Sequence, residues 1–380
     1  MRRSTWAGWT RGLAAAGLVL LAAAVLLPQL DTAAVAQVEG RTVQPESPTG
    51  GAVPGQSLGA SSDSEIWRAL RHGAQGNVSI PDKQAGVLIQ SEGDNWRAFR
   101  NGPLTVAGAW IVLGFIALVA LFFVVRGRIK IEAGPSGQTM ERFNAVERFT
   151  HWITAVSFII LALTGLNLLY GRHVLLPVLG PDVFAAISMA GKYAHNYLAF
   201  PFMLGLVLMV LLWIRHNIPN RYDLIWIAEF GGLFSKHKHP PSRKFNAGQK
   251  VIFWVVILGG ASLSLSGIAL LFPFTLSWWQ GTFSALNVIG LNLPTAITPM
   301  EEQQLSQIWH AFVGVVMIGI IIGHIYIGSL GMEGAFAAMG SGQVDENWAR
   351  EHHSVWVAEV RGEPIPDPDD YVSGSTQPAE

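Results

Sequence analysis

Five stretches of the chain are apolar over about the 20 residues that a helix needs to cross a hydrocarbon layer near 30 Å thick: Leu104 to Val125, Trp152 to Tyr170, His195 to Ile214, Val251 to Pro273 and Ile308 to Leu330. A backbone in lipid must satisfy its own hydrogen bonds, so each stretch is expected to be a helix. The predicted fold class is an all-α integral membrane protein, a helical bundle of five transmembrane spans. Half of the residues are hydrophobic, 13% are charged and the formal net charge is −1. That balance fits a bilayer partner and excludes nucleic acid. Cysteine is absent, which excludes disulfides, iron–sulfur clusters and a Cys-x-x-Cys-His haem attachment within this chain.

The amino terminus opens with Arg2, Arg3 and Arg11, runs apolar from Leu13 to Leu27 and reaches Ala34 and Ala36 in the small-residue pattern of a signal-peptidase site. Residues 1–36 therefore read as a signal peptide. The segment after it, to about Ser62, is rich in Pro, Gly and Ser and reads as a flexible linker. Residues 63–103 hold enough Trp, Leu and Phe for a small ordered patch but too few for a core of their own. Together, residues 37–103 are expected to form a periplasmic extension, followed by a first span at 104–125.

Lys and Arg set the direction of threading. The loop from Arg126 to Thr150 carries five of them and that from Arg215 to Lys250 carries seven; Arg172 and Lys192 alone lie between the second and third spans, and none lies between Phe274 and Gln307. The positive-inside rule then places the first two loops in the cytoplasm and the others in the periplasm. Trp152, Trp213, Trp278, Trp279 and Trp309 fall near span ends, as an interfacial aromatic belt would. The carboxyl-terminal residues 332–380 follow as a cytoplasmic tail, and the protein is expected to be multi-pass in a bacterial inner membrane.

The last span, "IWHAFVGVVMIGIIIGHIYIG", carries two histidines. A helix rises about 1.5 Å and turns about 100° per residue. His310 and His324 are thus about 21 Å apart along the axis and within about 40° of the same face. His151 stands where its span leaves the cytoplasmic side, and His195 where its span leaves the periplasmic side. Depth alone pairs His195 with His310 and His151 with His324. Ionisable residues inside a membrane are costly and mark function or internal pairing. Two stacked imidazole pairs are what two b-type haems require, one axial ligand from each side of each iron.

Gly314 and Gly328 each follow a histidine by four positions, where a bulky side chain would crowd a flat ring; Gly165 and Gly267, in "LALTGLNLL" and "LSLSGIALL", offer similar clearance. Plain helix packing through small residues is the alternative reading. The remaining histidines, His72, His173, His216, His237, His239, His352 and His353, read as solvated surface, and "HKHPP" is a weak hint of a metal site. In "RKFNAGQKVIFW" the amides of Asn246 and Gln249 and the backbone at Gly248 lie near the depth of His151 and His324. They can hold a quinone carbonyl, or Asn246 can simply cap a helix.

Several motifs together, "ERFTHW", "KYAHNYLAF", "RHNIPNRYD", "KFNAGQK", "IWHAFVG", "GHIYIGS" and "WAREHHSVW", make the chain from about Met140 to Val357 resemble the gamma subunit of respiratory formate dehydrogenases, a membrane dihaem cytochrome b. The resemblance implies a four-helix core, here 140–331, with haem ligands at His151, His195, His310 and His324. It also implies a menaquinone or ubiquinone site at Asn246 and Gly248, with His324 as neighbour. The implied partners are an iron–sulfur beta subunit and a molybdenum- or tungsten-pterin alpha subunit that oxidises formate outside. The first 135 or so residues depart from the compact form of that family. Ile66 to Gly102, with Trp67 and Trp96 as anchors, is expected to dock on the periplasmic partner. Cytochrome b subunits of nickel–iron hydrogenases or thiosulfate reductases are the nearest alternative, and a non-redox transporter or anchor is the alternative of another class.

Overall fold

The computed structural model describes residues 93–235, 237–365 and 367–372. The expected signal peptide, the expected linker and the sequence around Trp67 lie outside the described residues. Among the described residues, five helices are long and apolar enough to cross a membrane. A short helix α1 (Gly93–Phe99) passes through a π turn at Arg100–Leu104 into α2 (Thr105–Arg126). Pro103 sits in that turn; lacking an N–H, it cannot continue the ordinary ladder, and the register widens. The candidate span begins at Asn95, ahead of the apolar stretch that starts at Leu104.

The other spans are α3 (Ala145–Val174), α4 (Leu176–Trp213), α6 (Ala247–Leu271) and α8 (Pro299–Tyr326), joined by the shorter α5 (Arg221–Ala228) and α7 (Trp278–Asn287). Three of these spans outrun their apolar windows at the amino end because polar residues cap them. Asn144, Asn246 and Thr298 each form a capping box with Glu147, Gln249 and Glu301, which satisfies donors that a helix start leaves bare. In α4 the backbone breaks at Gly180, with φ 76°, immediately before Pro181. Large apolar side chains face outward: Trp110 is 72% exposed, Leu211 71% and Val124 80%. In water that surface would be untenable; around a bundle of this length it is the lipid face.

Helix α3 packs along α4, α6 along α8, and α4 touches α6, while α2 lies against the outside of α8. Small residues set these contacts. A Cβ at Gly108 would come within 2.7 Å of the Tyr170 hydroxyl, one at Gly319 would meet the Phe115 ring, and one at Gly205 would collide with Thr154. Such close approach is how helices associate where no hydrophobic force separates protein from lipid.

One end of the bundle is capped. Strand β1 (Thr139–Glu141) pairs antiparallel with β2 (Gln343–Asp345), Met140 opposite Val344. Helix α9 (Ala335–Gly340) precedes β2, and α10 (Glu346–Arg361) and α11 (Pro368–Val372) follow it. Val344, Trp348 and Val357 join Phe143, Trp213 and Phe245 in one apolar cluster. Residues 335–361 are thus a packed lid over the bundle end. Arg142 is buried within the lid, its guanidinium 5.0 Å from the Trp348 ring centroid and 5.2 Å from that of Phe143.

Candidate functional site

The two histidine pairs close as depth predicts. The ring centroids of His151 and His324 are 6.2 Å apart at the capped end, and those of His195 and His310 are 6.1 Å apart toward the open end. A metal–imidazole bond is about 2 Å and the ring centre lies roughly 1 Å behind the nitrogen. Centroids about 6 Å apart therefore let two rings reach one metal from opposite sides. Among the described residues no group of three or more His, Cys, Asp or Glu is placed to hold a metal ion directly. Each centre offers two imidazoles and nothing else, a donor set that fits an iron whose in-plane ligands come from a macrocycle.

Glycines frame the rings. A Cβ at Gly267 would come 3.3 Å from His310 Cε1, and one at Gly165 3.6 Å from His195 Cε1. At Gly314 a Cβ would meet only Leu263, 3.9 Å away, and at Gly323 and Gly328 nothing within 4 Å. Gly314 and Gly328, each about one turn on from a histidine, thus keep protein side chains away from the histidine-bearing face of α8.

Two hydroxyls fix the open-end pair. Thr164 Oγ1 lies 2.8 Å from His195 Nδ1, and Ser266 Oγ lies 2.9 Å from His310 Nδ1. Each hydroxyl already donates to its own helix, Thr164 to the Ile160 carbonyl at 2.7 Å and Ser266 to the Ser262 carbonyl at 2.9 Å. The oxygen then has only lone pairs to offer, so the imidazole must donate from Nδ1–H. This sets the tautomer and leaves Nε2 free to bind a metal. At the capped end, His151 Nδ1 is buried without a hydrogen-bond partner among the described residues.

Asn246 caps α6: its Oδ1 accepts from Gln249 N at 2.9 Å, while Gln249 Oε1 accepts from Asn246 N at 3.1 Å and from Arg142 Nη2 at 3.2 Å. Gly248 lies under Trp226, where a Cβ would come 2.7 Å from Cη2. From this helix start a groove of about 570 Å³ runs between α6 and α8, from Asp223 and Ala247 past Trp254 to Gly259 and Met317.

Residues 142–342 match the family described as prokaryotic cytochrome b561. The chain belongs to that family. Both histidine pairs fall inside the matched region, whereas α1 and α2 precede it. The chain is 28% identical to the formate dehydrogenase cytochrome b556(fdo) subunit of Escherichia coli (strain K12) over 224 residues, 59% of this chain and 94% of that one. It is 24% identical to the nitrate-inducible formate dehydrogenase cytochrome b556(Fdn) subunit of the same strain, over 58% of this chain and 90% of that one. It is 23% identical to the formate dehydrogenase cytochrome b556 subunit of Haemophilus influenzae, over 57% and 82%. The protein is thus a multi-pass membrane cytochrome b, and its family implies haem b.

Within this cytochrome, the sequence reading of two histidines needs correction. His353 is 1% exposed and lies among Trp348, Trp356 and Arg142, with Nδ1 2.8 Å from the Arg243 carbonyl. His352 Nε2 is buried as well. The charged residues of α10 suggest a surface helix, but its second half is enclosed, with Val355, Trp356, Val357 and Ala358 all buried. The "HKHPP" histidines bind a carboxylate, His237 Nδ1 to Glu132 Oε1 at 2.5 Å and His239 Nε2 to Oε2 at 2.8 Å. Thr164 and Ser266 carry little signal in the sequence, because a hydroxyl in a membrane helix ordinarily bonds back to its own carbonyls. The shared hydroxyl–glycine dipeptide in "LALTGLNLL" and "LSLSGIALL" was the available sign.

Proposed function

We propose that this cytochrome b is the membrane subunit of a formate dehydrogenase complex in a bacterial inner membrane, carrying electrons through two b-type haems to a quinone. The observation that carries the reading is the pair of facing histidines at each end of one span, 6.1 and 6.2 Å apart, in a chain similar to cytochrome b556 subunits of formate dehydrogenases. In this reading His195 and His310 are the ligands near the periplasm, and His151 and His324 those near the cytoplasm. The excess of Lys and Arg in the loops at the capped end supports that orientation. Bound haem supplies a one-electron carrier at each centre.

The chain's own residues do the rest. The histidines fix where electrons rest, and the apolar helices between them keep water out. Electrons enter from an iron–sulfur beta subunit, itself fed by a molybdenum- or tungsten-pterin alpha subunit that oxidises formate outside. Ile66 to Gly102, in the extension behind the signal peptide, is the docking segment for those partners, with Trp67 and Trp96 as anchors. The quinone, menaquinone or ubiquinone, sits by His324 at the start of α6. There Asn246 Nδ2 and the first-turn N–H of Gly248 are the donors for a carbonyl oxygen, since the cap occupies only Asn246 Oδ1. Gln249 ties this start to buried Arg142, a fixed cation that favours charge arriving on the quinone. Trp226 is the flat wall over Gly248, and the groove between α6 and α8 suits an apolar tail. Protons drawn from the cytoplasm complete the reduction, so each turnover separates charge.

Formate added to membranes that hold the whole complex should reduce both haems. Asn246→Leu should leave that reduction intact and slow reoxidation by quinone about tenfold, the worth of one hydrogen bond of about 1.4 kcal/mol. Haems that ignore formate but respond to hydrogen or thiosulfate would overturn the assignment.

A further inference from the structure

The two histidine pairs are alike in spacing and unlike in what holds their outer nitrogens. At the open end both imidazoles donate from Nδ1, to Thr164 Oγ1 and Ser266 Oγ. At the capped end His151 Nδ1 has no partner, and among the described residues no hydrogen bond reaches the His324 ring. The two hydroxyls are not stray. They occupy equivalent places in "LALTGLNLL" of α3 and "LSLSGIALL" of α6, each directly before a glycine that lies against the same imidazole. Each donates to a carbonyl of its own helix one turn earlier, which leaves the oxygen's lone pairs to accept from the imidazole.

An imidazole that donates from Nδ1 becomes a stronger donor of electron density at Nε2. More density on iron stabilises the ferric form and lowers the reduction potential. Two such bonds act on one centre and none on the other. Fixed charge adds in the same direction: Arg148, three residues before His151, donates Nη1 to the Gly340 carbonyl rather than to a carboxylate, and Arg142 lies buried at the same end. A cation near a centre favours its reduced form.

We propose that Thr164 and Ser266 are positioning residues that hold the potential of the His195/His310 centre below that of the His151/His324 centre, so that the internal electron step runs downhill toward the quinone. The inference rests on the dihaem reading above. It needs no extra oxidant or reductant, because one electron leaves ferrous iron at the first centre and reduces ferric iron at the second.

The test is a spectroelectrochemical titration of the full-length purified cytochrome, with haem counted per chain. Thr164→Val and Ser266→Ala should each keep two haems and raise only the lower-potential component, by about three- to tenfold in ferric-to-ferrous ratio, or about 30 to 60 mV for one electron. Thr164→Ser should restore the original value. Independently of those variants, His310→Ala should abolish the lower-potential component and His151→Ala the higher one. Two retained haems with unmoved potentials, a shift in the higher component, or loss of the higher component in His310→Ala would each overturn the proposal while leaving the dihaem reading standing. Fewer than two haems in the unaltered chain would instead overturn the reading beneath it.

Discussion

Lys250 of α6 and Asp223 of α5 form a buried ion pair, Nζ to Oδ2 2.7 Å, with side chains only 5% and 10% exposed. The same carboxylate oxygen accepts from Asn220 N at 2.6 Å, and Lys250 Nζ also donates to the Ile218 carbonyl at 3.1 Å. The pair therefore ties the loop before α5 to the start of α6, beside the groove between α6 and α8.

Removing one partner strands the other charge. Asp223→Asn should destabilise the cytochrome by about 3 to 5 kcal/mol. Asp223→Asn combined with Lys250→Met should be milder than Asp223→Asn alone, because no charge is then left buried. Thermal loss of haem absorbance in detergent measures both, and a double variant weaker than the single one would contradict this account of the pair.

The glycines against the imidazoles leave little room. Gly267→Ala places a methyl 3.3 Å from His310 Cε1, a distance the ring can relieve by shifting a few tenths of an ångström. Gly267→Val cannot be relieved so cheaply and should remove one haem of two, as should Gly165→Val. Haem counted per chain decides it; full occupancy in both valine variants would show that the rings do not depend on that clearance.

The lid should be sensitive to acid. Burial, with help from His239 and Arg142, pushes His352 down to about 3, and burial beside Arg142 pushes His353 well below the ordinary imidazole range. Both are neutral in the folded lid, while unfolded imidazoles take up protons near pH 6.5. Below about pH 6.5 the unfolded state binds more protons, so lid stability is full above that value. It is lost as pH falls toward 3, at up to about 1.4 kcal/mol per pH unit for each histidine. Amide protection across residues 346–361, taken as exchange relative to the unfolded chain at the same pH, should fall between pH 7 and pH 5, and His352→Gln should flatten the dependence. Protection equally high at both pH values would contradict the assignment.

What could be read from the sequence followed from periodicity and depth. His310 and His324 share a face because fourteen residues nearly complete four turns, and entry side alone matched them to His195 and His151; the structure closes those same pairs. The role of Asn246 stayed open between a cap and a ligand, and the backbone resolves the capping half, since its Oδ1 meets Gln249 N. Hidden from the sequence were features that depend on which face of an element meets another. Ser266 and Thr164 look like ordinary helix hydroxyls until α4 and α8 bring an imidazole to each. The residues after Gly331 read as a tail because their apolar content is low, yet Trp348 and Val357 of α10 join the apolar cluster over the bundle end, and Val355 beside them is fully buried.

The central claim is that two imidazole pairs, stacked through one membrane, each clamp a haem. A reduced-minus-oxidised spectrum of the purified chain with haem counted per polypeptide tests it most directly, in the parent and in His195→Ala, His310→Ala, His151→Ala and His324→Ala. The account predicts two b-type haems in the parent, loss of one and the same haem in the first two variants, and loss of the other in the last two. A parent without haem, or His195→Ala and His310→Ala losing different haems, would contradict it.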